Sequence, residues 1–227
     1  MKKKFLLLAF LFVGAIMFSA CGKSKIDLSS YLIEERETLF TGTGSVYNVT
    51  YSGGMREENY SIDGEVGALV PFGVITLTRT DGEPLANDTY NYTVTINDQT
   101  YTGVMESSSV NSYSADLAVN APVDAKISVK IDFTGYRFEA DLTNTSNLWT
   151  VDKETALNIA NNELQESVKN ILSTKGTKIE VVTKILKDYS SSEVGAYYWY
   201  VGVVSTNGET LGLLIDANTS EIIAKKV

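Results

Sequence analysis

The residue types that carry most enzyme mechanisms are scarce in this chain. It contains no histidine and a single cysteine, Cys21. A Ser-His-Asp triad, a Cys-His pair and the histidine-containing zinc sites each need an imidazole, so the sequence excludes them. Several predicted turns combine acidic residues with glycine, but they lack the alternating oxygen ligands of an EF-hand calcium loop. We therefore predict no metal site and no cofactor, and the chemistry left is that of carboxylates, Ser-Lys pairs and tyrosines.

Carboxylates are the first of the remaining candidates. Acidic residues surround two turns in the first third of the chain, and they are Glu57, Glu58, Asp63 and Glu65. Glycoside hydrolysis needs a pair of carboxyl groups, so these residues define an enzymatic alternative. Acidic residues in turns are usually solvated, however, and we predict that the protein is not an enzyme.

Tyrosines are the second candidate, because the chain has 13 of them and exposed rings can stack on sugars. Six of those within residues 39–148 are the candidates, and they are Tyr47, Tyr51, Tyr90, Tyr92, Tyr101 and Tyr113. Most occupy the apolar phase of their strands, which favours rings that face a core with the hydroxyl at its edge. A protein that binds a glycan or another small ligand through these tyrosines is the alternative to the function predicted below.

The N-terminus predicts export. Lys2, Lys3 and Lys4 precede an unbroken run of apolar and small residues over 5–18, and Ser19 and Ala20 follow it. This is the pattern of a signal peptide over residues 1–20. The run is shorter than the roughly 20 apolar residues that a membrane-spanning helix needs.

The residues around the cysteine refine this prediction. Phe18-Ser19-Ala20-Cys21 resembles the bacterial lipobox, in which the cysteine is lipidated and becomes the new N-terminus, although Phe18 stands where leucine is usual. Lipidation also accounts for a cysteine that has no disulfide partner in its own chain. The resemblance implies an exported protein that is attached to a bacterial membrane through lipid on Cys21 and faces away from the cytoplasm.

Composition and charge narrow the partners. Apolar residues make up 44% of the chain and charged residues 21%, which is enough to bury a core without disulfides. The formal net charge is −9. Nucleic acid is excluded as a partner because phosphate binding needs clustered lysine and arginine.

The pattern of apolar residues divides the exported part into three. Residues 21–38 carry the cysteine and are predicted to be a tether. Residues 39–148 alternate apolar and polar residues between turn signals, which predicts several short antiparallel strands. Two hairpins are the clearest, one turning at Asn97-Asp98 and one at Thr134-Gly135. We predict an immunoglobulin-like β-sandwich here.

The composition changes at Trp149, where we place a domain boundary. Asp152 is predicted to cap a helix whose apolar residues recur at spacings of three and four. Four strands follow, with a tight turn at Asn207-Gly208. The fold class predicted from the whole chain is mainly β, with a second, smaller α+β domain over 150–227.

Three segments of this second domain resemble a known family. They are residues 154–160 (ETALNIA), 197–201 (YYWYV) and 214–222 (LIDANTSEI). Residues 152–226 resemble PepSY domains, small α+β modules of exported bacterial proteins and peptidase propeptides, although Ser220 replaces the glycine of the closing turn. The resemblance implies a module that regulates or inhibits an extracytoplasmic protein such as a peptidase. It implies no catalytic residues.

These observations predict a non-catalytic envelope lipoprotein that binds a protein partner. The aromatic strand is the predicted binding surface, and its residues are Tyr198, Trp199 and Tyr200.

Overall fold

The structure is a computed structural model that describes residues 25–188 and 196–227. The predicted signal peptide over 1–20 and the predicted lipidation site at Cys21 lie outside the described residues. Within the described ranges, no helix has the length and apolar character needed to span a membrane.

The described chain contains 12 strands and two α-helices. A 3₁₀ helix at Leu28–Tyr31 leads into eight strands: β1 (Leu32–Thr43), β2 (Tyr47–Glu57), β3 (Leu69–Arg79), β4 (Tyr90–Ile96), β5 (Gln99–Ser109), β6 (Ser112–Leu117), β7 (Ile127–Phe133) and β8 (Tyr136–Asn144). A second 3₁₀ helix at Ser146–Leu148 precedes the helices α1 (Lys153–Glu163) and α2 (Gln165–Ser173). The chain ends with β9 (Ile179–Lys187), β10 (Tyr197–Ser205), β11 (Thr210–Asp216) and β12 (Ile222–Lys226).

The first eight strands form a closed antiparallel barrel. Their order is β1-β2-β3-β6-β5-β4-β7-β8, and β1 closes the ring by pairing with β8 through Phe40↔Asn144 and Thr41↔Thr143. The prediction of an immunoglobulin-like β-sandwich over 39–148 is therefore wrong. Alternating polarity predicts which face of a strand is buried, and it is the same in a sandwich and a barrel. The difference lies in which edge strands pair, and that is a non-local property.

Side chains fill the barrel. Its buried core includes Phe40, Tyr51 and Tyr90, each with no exposed surface. The Tyr51 hydroxyl donates to the carbonyl of Val119 at 2.5 Å and accepts from the amide of Ala121 at 3.1 Å. These bonds fix the connection between β6 and β7, and burial raises the pKa of Tyr51 to about 12.

The last four strands continue the same sheet. β9 runs parallel to β1 and pairs with it, for example at Leu32↔Val181 and Arg36↔Lys184. All 12 strands therefore belong to one hydrogen-bonded sheet. The prediction of two domains, with a separate PepSY-like α+β domain at the C-terminus, is wrong for this reason. The sequence shows where strands begin and end, but it does not show that β1 extends beyond the barrel to receive β9.

The N-terminal segment contributes to the C-terminal core. Leu28, Leu32 and Leu39 are buried in one apolar cluster with α1, α2 and the strands β9–β11. Residues 28–38, which the sequence groups with the tether, thus form a 3₁₀ helix and the first half of β1.

The structure confirms several predictions that concern residues close together in the sequence. The hairpins β4–β5 and β7–β8 are confirmed, with their turns at Asn97-Asp98 and at Thr134-Gly135. Gly135 has a φ of 74°, which explains the glycine there. Asp152 caps α1 by accepting a hydrogen bond from the amide of Thr155 at 2.8 Å.

Candidate functional site

The C-terminal part of the sheet has two different faces. Successive side chains of a strand point to opposite faces, so Ile179, Val181 and Ile185 of β9 enter the core beneath α1 and α2. Glu180 and Lys184 lie on the opposite face. We call this opposite face of β9, β10, β1, β2 and β3 the distal face.

The three predicted binding residues are divided between these faces. Trp199 is only 1% exposed, belongs to the core on the helix side, and donates its indole N–H to the carbonyl of Val151 at 2.8 Å. Tyr198 and Tyr200 are half-buried on the distal face. The structure therefore brings two of the predicted residues to one surface and assigns the third to packing. The alternation of side chains between the two faces of a strand was the feature of the β10 sequence that indicated this division.

Tyr200 lies across the sheet rather than away from it. A Cβ atom added to Gly202 would come within 2.6 Å of the Tyr200 hydroxyl, and one added to Gly212 would come within 3.3 Å of its ring. The absence of a side chain at Gly202 makes room for this close approach. The ring therefore forms a flat part of the distal face.

Cations and aromatic rings alternate across the distal face. The Lys184 ammonium is 5.5 Å from the centre of the Tyr200 ring. The guanidinium groups of Arg36 and Arg56 lie 5.3 Å and 4.5 Å from the centre of the Phe72 ring. Arg56 also lies 5.2 Å from the centre of the Tyr60 ring. Such contacts stabilise each cation by about 0.5–1 kcal/mol at exposed sites.

The three cations differ in how they are neutralised. Arg36 pairs with Glu34 and Arg56 pairs with Asp116, both at 2.6 Å. Lys184 forms no ion pair within the described residues. Burial lowers the pKa of Lys184, the charge of Arg36 lowers it further, and the charge of Glu34 opposes this.

Residues 58–68, which connect β2 to β3, form an anchored loop at the edge of the distal face. The amides of Asp63 and Gly64 both donate to Oε1 of Glu180, the former at 2.8 Å. The amide of Gly67 donates to Oε1 of Glu57. Glu180 has no exposed surface and Glu57 is 6% exposed, so two buried carboxylates fix the loop from beneath.

Three apolar side chains of the anchored loop are exposed among its polar residues. Tyr60 is 46% exposed, Ile62 is 41% exposed and Val66 is 44% exposed. The loop is also tied to the start of β9, because Glu65 forms an ion pair with Lys178. The alternation of Tyr60 and Ile62 before the Asp63-Gly64 turn predicts the end of a strand, but the structure places both residues in the anchored loop. Their exposure was not predicted, although apolar residues between polar turn residues were the available signal.

The carboxylates of the enzymatic alternative have structural partners. Glu57 holds the anchored loop, and Asp63 accepts hydrogen bonds from the Ser61 hydroxyl at 3.0 Å and from the amide of Glu65 at 2.9 Å. Glu58 is exposed. Among the described residues there is no group of three or more acidic, cysteine or histidine side chains that could hold a metal ion. These residues form a loop and give no support to a pair of catalytic carboxyl groups.

The tyrosines of the glycan-binding alternative do not form an exposed row. Tyr51 and Tyr90 have no exposed surface, and Tyr113 is 9% exposed. The remaining three are partly buried against the barrel core, and they are Tyr47, Tyr92 and Tyr101. The three buried rings, Tyr51, Tyr90 and Tyr113, are not available to stack on a sugar.

Comparison of the chain with protein-family models, with curated proteins and with solved structures found no match. The resemblance of residues 152–226 to PepSY domains thus depends on the residues alone, and their strands belong to the sheet of the whole molecule.

The buried carboxylate of Glu180 makes stability depend on pH. Burial raises the pKa of Glu180 above its ordinary value of 4.5, although two backbone N–H groups oppose the shift and the charges of Asp63 and Glu57 add to it. The folded protein therefore binds this proton more tightly than the unfolded chain does, and protonation stabilises the fold. Between neutral pH and pH 4.5, the wild type should gain stability relative to Glu180→Gln as the pH falls.

Urea denaturation of both proteins across this pH range measures the effect. Glu58→Gln is the matched control, because Glu58 is an exposed neighbour in the same loop. The stability that the wild type gains as the pH falls is compared with each variant in turn. If the gain relative to Glu180→Gln is no larger than the gain relative to Glu58→Gln, burial does not raise the pKa of Glu180.

Proposed function

We propose that the protein is a non-catalytic lipoprotein of the bacterial envelope, anchored through Cys21, that binds an extracytoplasmic protein with its anchored loop and distal face. The observation that carries the proposal is the exposure of Tyr60, Ile62 and Val66 on a loop fixed by two buried carboxylates. Exposed apolar side chains gathered in one place mark interaction surfaces. A loop that is already held in position loses less conformational freedom on binding.

The chemistry of the neighbouring surface supports a protein partner. Tyr198 and Tyr200 extend the apolar area, and tyrosine is enriched among the residues that dominate binding energies. Lys184 adds a positive charge without an ion pair among the described residues. A partner with an apolar patch beside an acidic group would complement this surface.

The anchoring is supported by the lipobox-like residues before Cys21. A cell that expresses the protein can be fed a fatty acid with an alkyne group, and the protein is then tested for label. We expect label on the wild type and none on Cys21→Ser. Equal labelling of both would contradict the assignment of Cys21.

The binding is tested with the double variant Ile62→Ser/Val66→Ser. Its matched control is Val110→Ser, because Val110 is 81% exposed and follows β5 in another part of the barrel. Each protein is used to capture proteins from envelope extract. Loss of two central apolar contacts should reduce retention of a specific partner by about tenfold or more, whereas the control should retain it. Equal retention by both variants would exclude the anchored loop from the interface.

A further inference from the structure

Residues 25–28, the first that the structure describes, are attached to the helices. The Lys25 ammonium donates to Oδ1 of Asn162 at 2.8 Å, and the amide of Ile26 donates to Oε1 of Gln165 at 3.0 Å. The amide of Leu28 donates to Oδ1 of Asn161 at 2.8 Å, and the Leu28 side chain is 1% exposed. The first described residues thus lie at the junction between α1 and α2.

The distance from this junction to the predicted lipid is short. Lys25 is separated from Cys21 by only Gly22, Lys23 and Ser24. Consecutive Cα atoms are 3.8 Å apart, so the Cα atom of Cys21 lies within about 15 Å of that of Lys25. A lipid on Cys21 would therefore hold the junction close to the membrane surface.

We propose that the short lipid anchor holds the α1–α2 junction against the headgroups of the bilayer and turns the anchored loop away from it. This inference rests on the proposed lipidation of Cys21. It adds an orientation to the proposed function, with the bilayer as the partner of the helix layer and the solvent side left to the protein partner.

The two surfaces lie on opposite sides of the sheet. The helices pack on the face that contains Ile179 and Val181. The anchored loop binds Glu180, whose side chain points to the other face. The helices and the sheet therefore separate the loop from the membrane.

The helices have no affinity for the membrane that would produce this orientation without the anchor. Their exposed side chains are polar, and they include Asn158, Asn162 and Glu163. Such a surface does not enter hydrocarbon. The length of the anchor is thus the cause of the orientation.

The test uses the full-length lipidated protein in vesicles of phosphatidylethanolamine and phosphatidylglycerol that contain a lipid with a nitroxide on its headgroup. A fluorophore is attached to Asn158→Cys on α1 or to Ile62→Cys on the anchored loop. Both positions are exposed, and the proposed lipid would block the thiol of Cys21. We expect the nitroxide to quench the fluorophore at position 158 several-fold more than the fluorophore at position 62.

A second variant separates the anchor from the surface. Inserting a flexible Gly-Ser linker between Ser24 and Lys25 should abolish the difference in quenching while the protein still floats with the vesicles. A difference that persists with the linker, or equal quenching at both positions without it, would overturn the proposed orientation. A wild-type protein that fails to float with the vesicles would overturn the lipid anchoring itself.

Discussion

Replacing Trp199 with alanine is expected to lower the free energy of unfolding by about 3–5 kcal/mol. The indole is 1% exposed and packs in the core that joins α1, α2 and β9–β11. The variant loses this packing and also leaves the carbonyl of Val151 without its hydrogen bond from the indole. The measurement is guanidinium denaturation followed by circular dichroism.

The neighbouring residue Tyr200 supplies the control for this prediction. Tyr200→Ala removes a ring of similar size from the same strand, but that ring is half-buried on the distal face. We expect the loss of stability in Tyr200→Ala to be less than half of that in Trp199→Ala. Equal losses would contradict the division of β10 into a core side and a more exposed side. Any loss of partner binding in Trp199→Ala is expected to follow its loss of stability.

Replacing Leu28 with alanine is expected to cost about 2–5 kcal/mol, although Leu28 lies only seven residues after Cys21. The side chain is buried in the core of the C-terminal strands and helices. A leucine in a flexible tether would instead have almost no effect on stability. Urea denaturation of Leu28→Ala, followed by tryptophan fluorescence, distinguishes these two roles.

Ser30→Ala is the matched control for Leu28→Ala, because Ser30 is exposed in the same 3₁₀ helix. It should leave the denaturation midpoint close to that of the wild type. A Leu28→Ala variant as stable as Ser30→Ala would show that residues 25–31 do not pack as described and would remove the basis for the short anchor.

The local parts of the fold could be predicted from the sequence. The alternating residues of β4 and β5 and the turn between them specify a hairpin, because partners close in sequence need only a turn to meet. The pairing of β1 with both β8 and β9 could not be predicted in this way. Nothing in the residues of β1 shows that one half of the strand closes a barrel and the other half extends the sheet.

The candidate site shows the same limit. Tyr198, Trp199 and Tyr200 were predicted together from the aromatic strand, but the structure places the two tyrosines on the distal face and Trp199 in the core. The acidic residues of the anchored loop region were interpreted as solvated, because the burial of Glu57 and Glu180 depends on residues far apart in the sequence. Because those two carboxylates hold the loop in place, Ile62 is exposed at a fixed position, which supports its proposed role in binding.

The most direct test of the binding surface is site-specific photo-crosslinking in living cells. A photoreactive phenylalanine analogue replaces Ile62 in one variant of the anchored protein and Val110 in another, both positions being exposed. We expect the analogue at position 62 to crosslink to one discrete envelope protein. This crosslink should be absent from position 110, and it should be lost from position 62 when Tyr60 is also replaced by alanine. The same crosslinks from both positions, or none from position 62 while position 110 yields a discrete product, would contradict it.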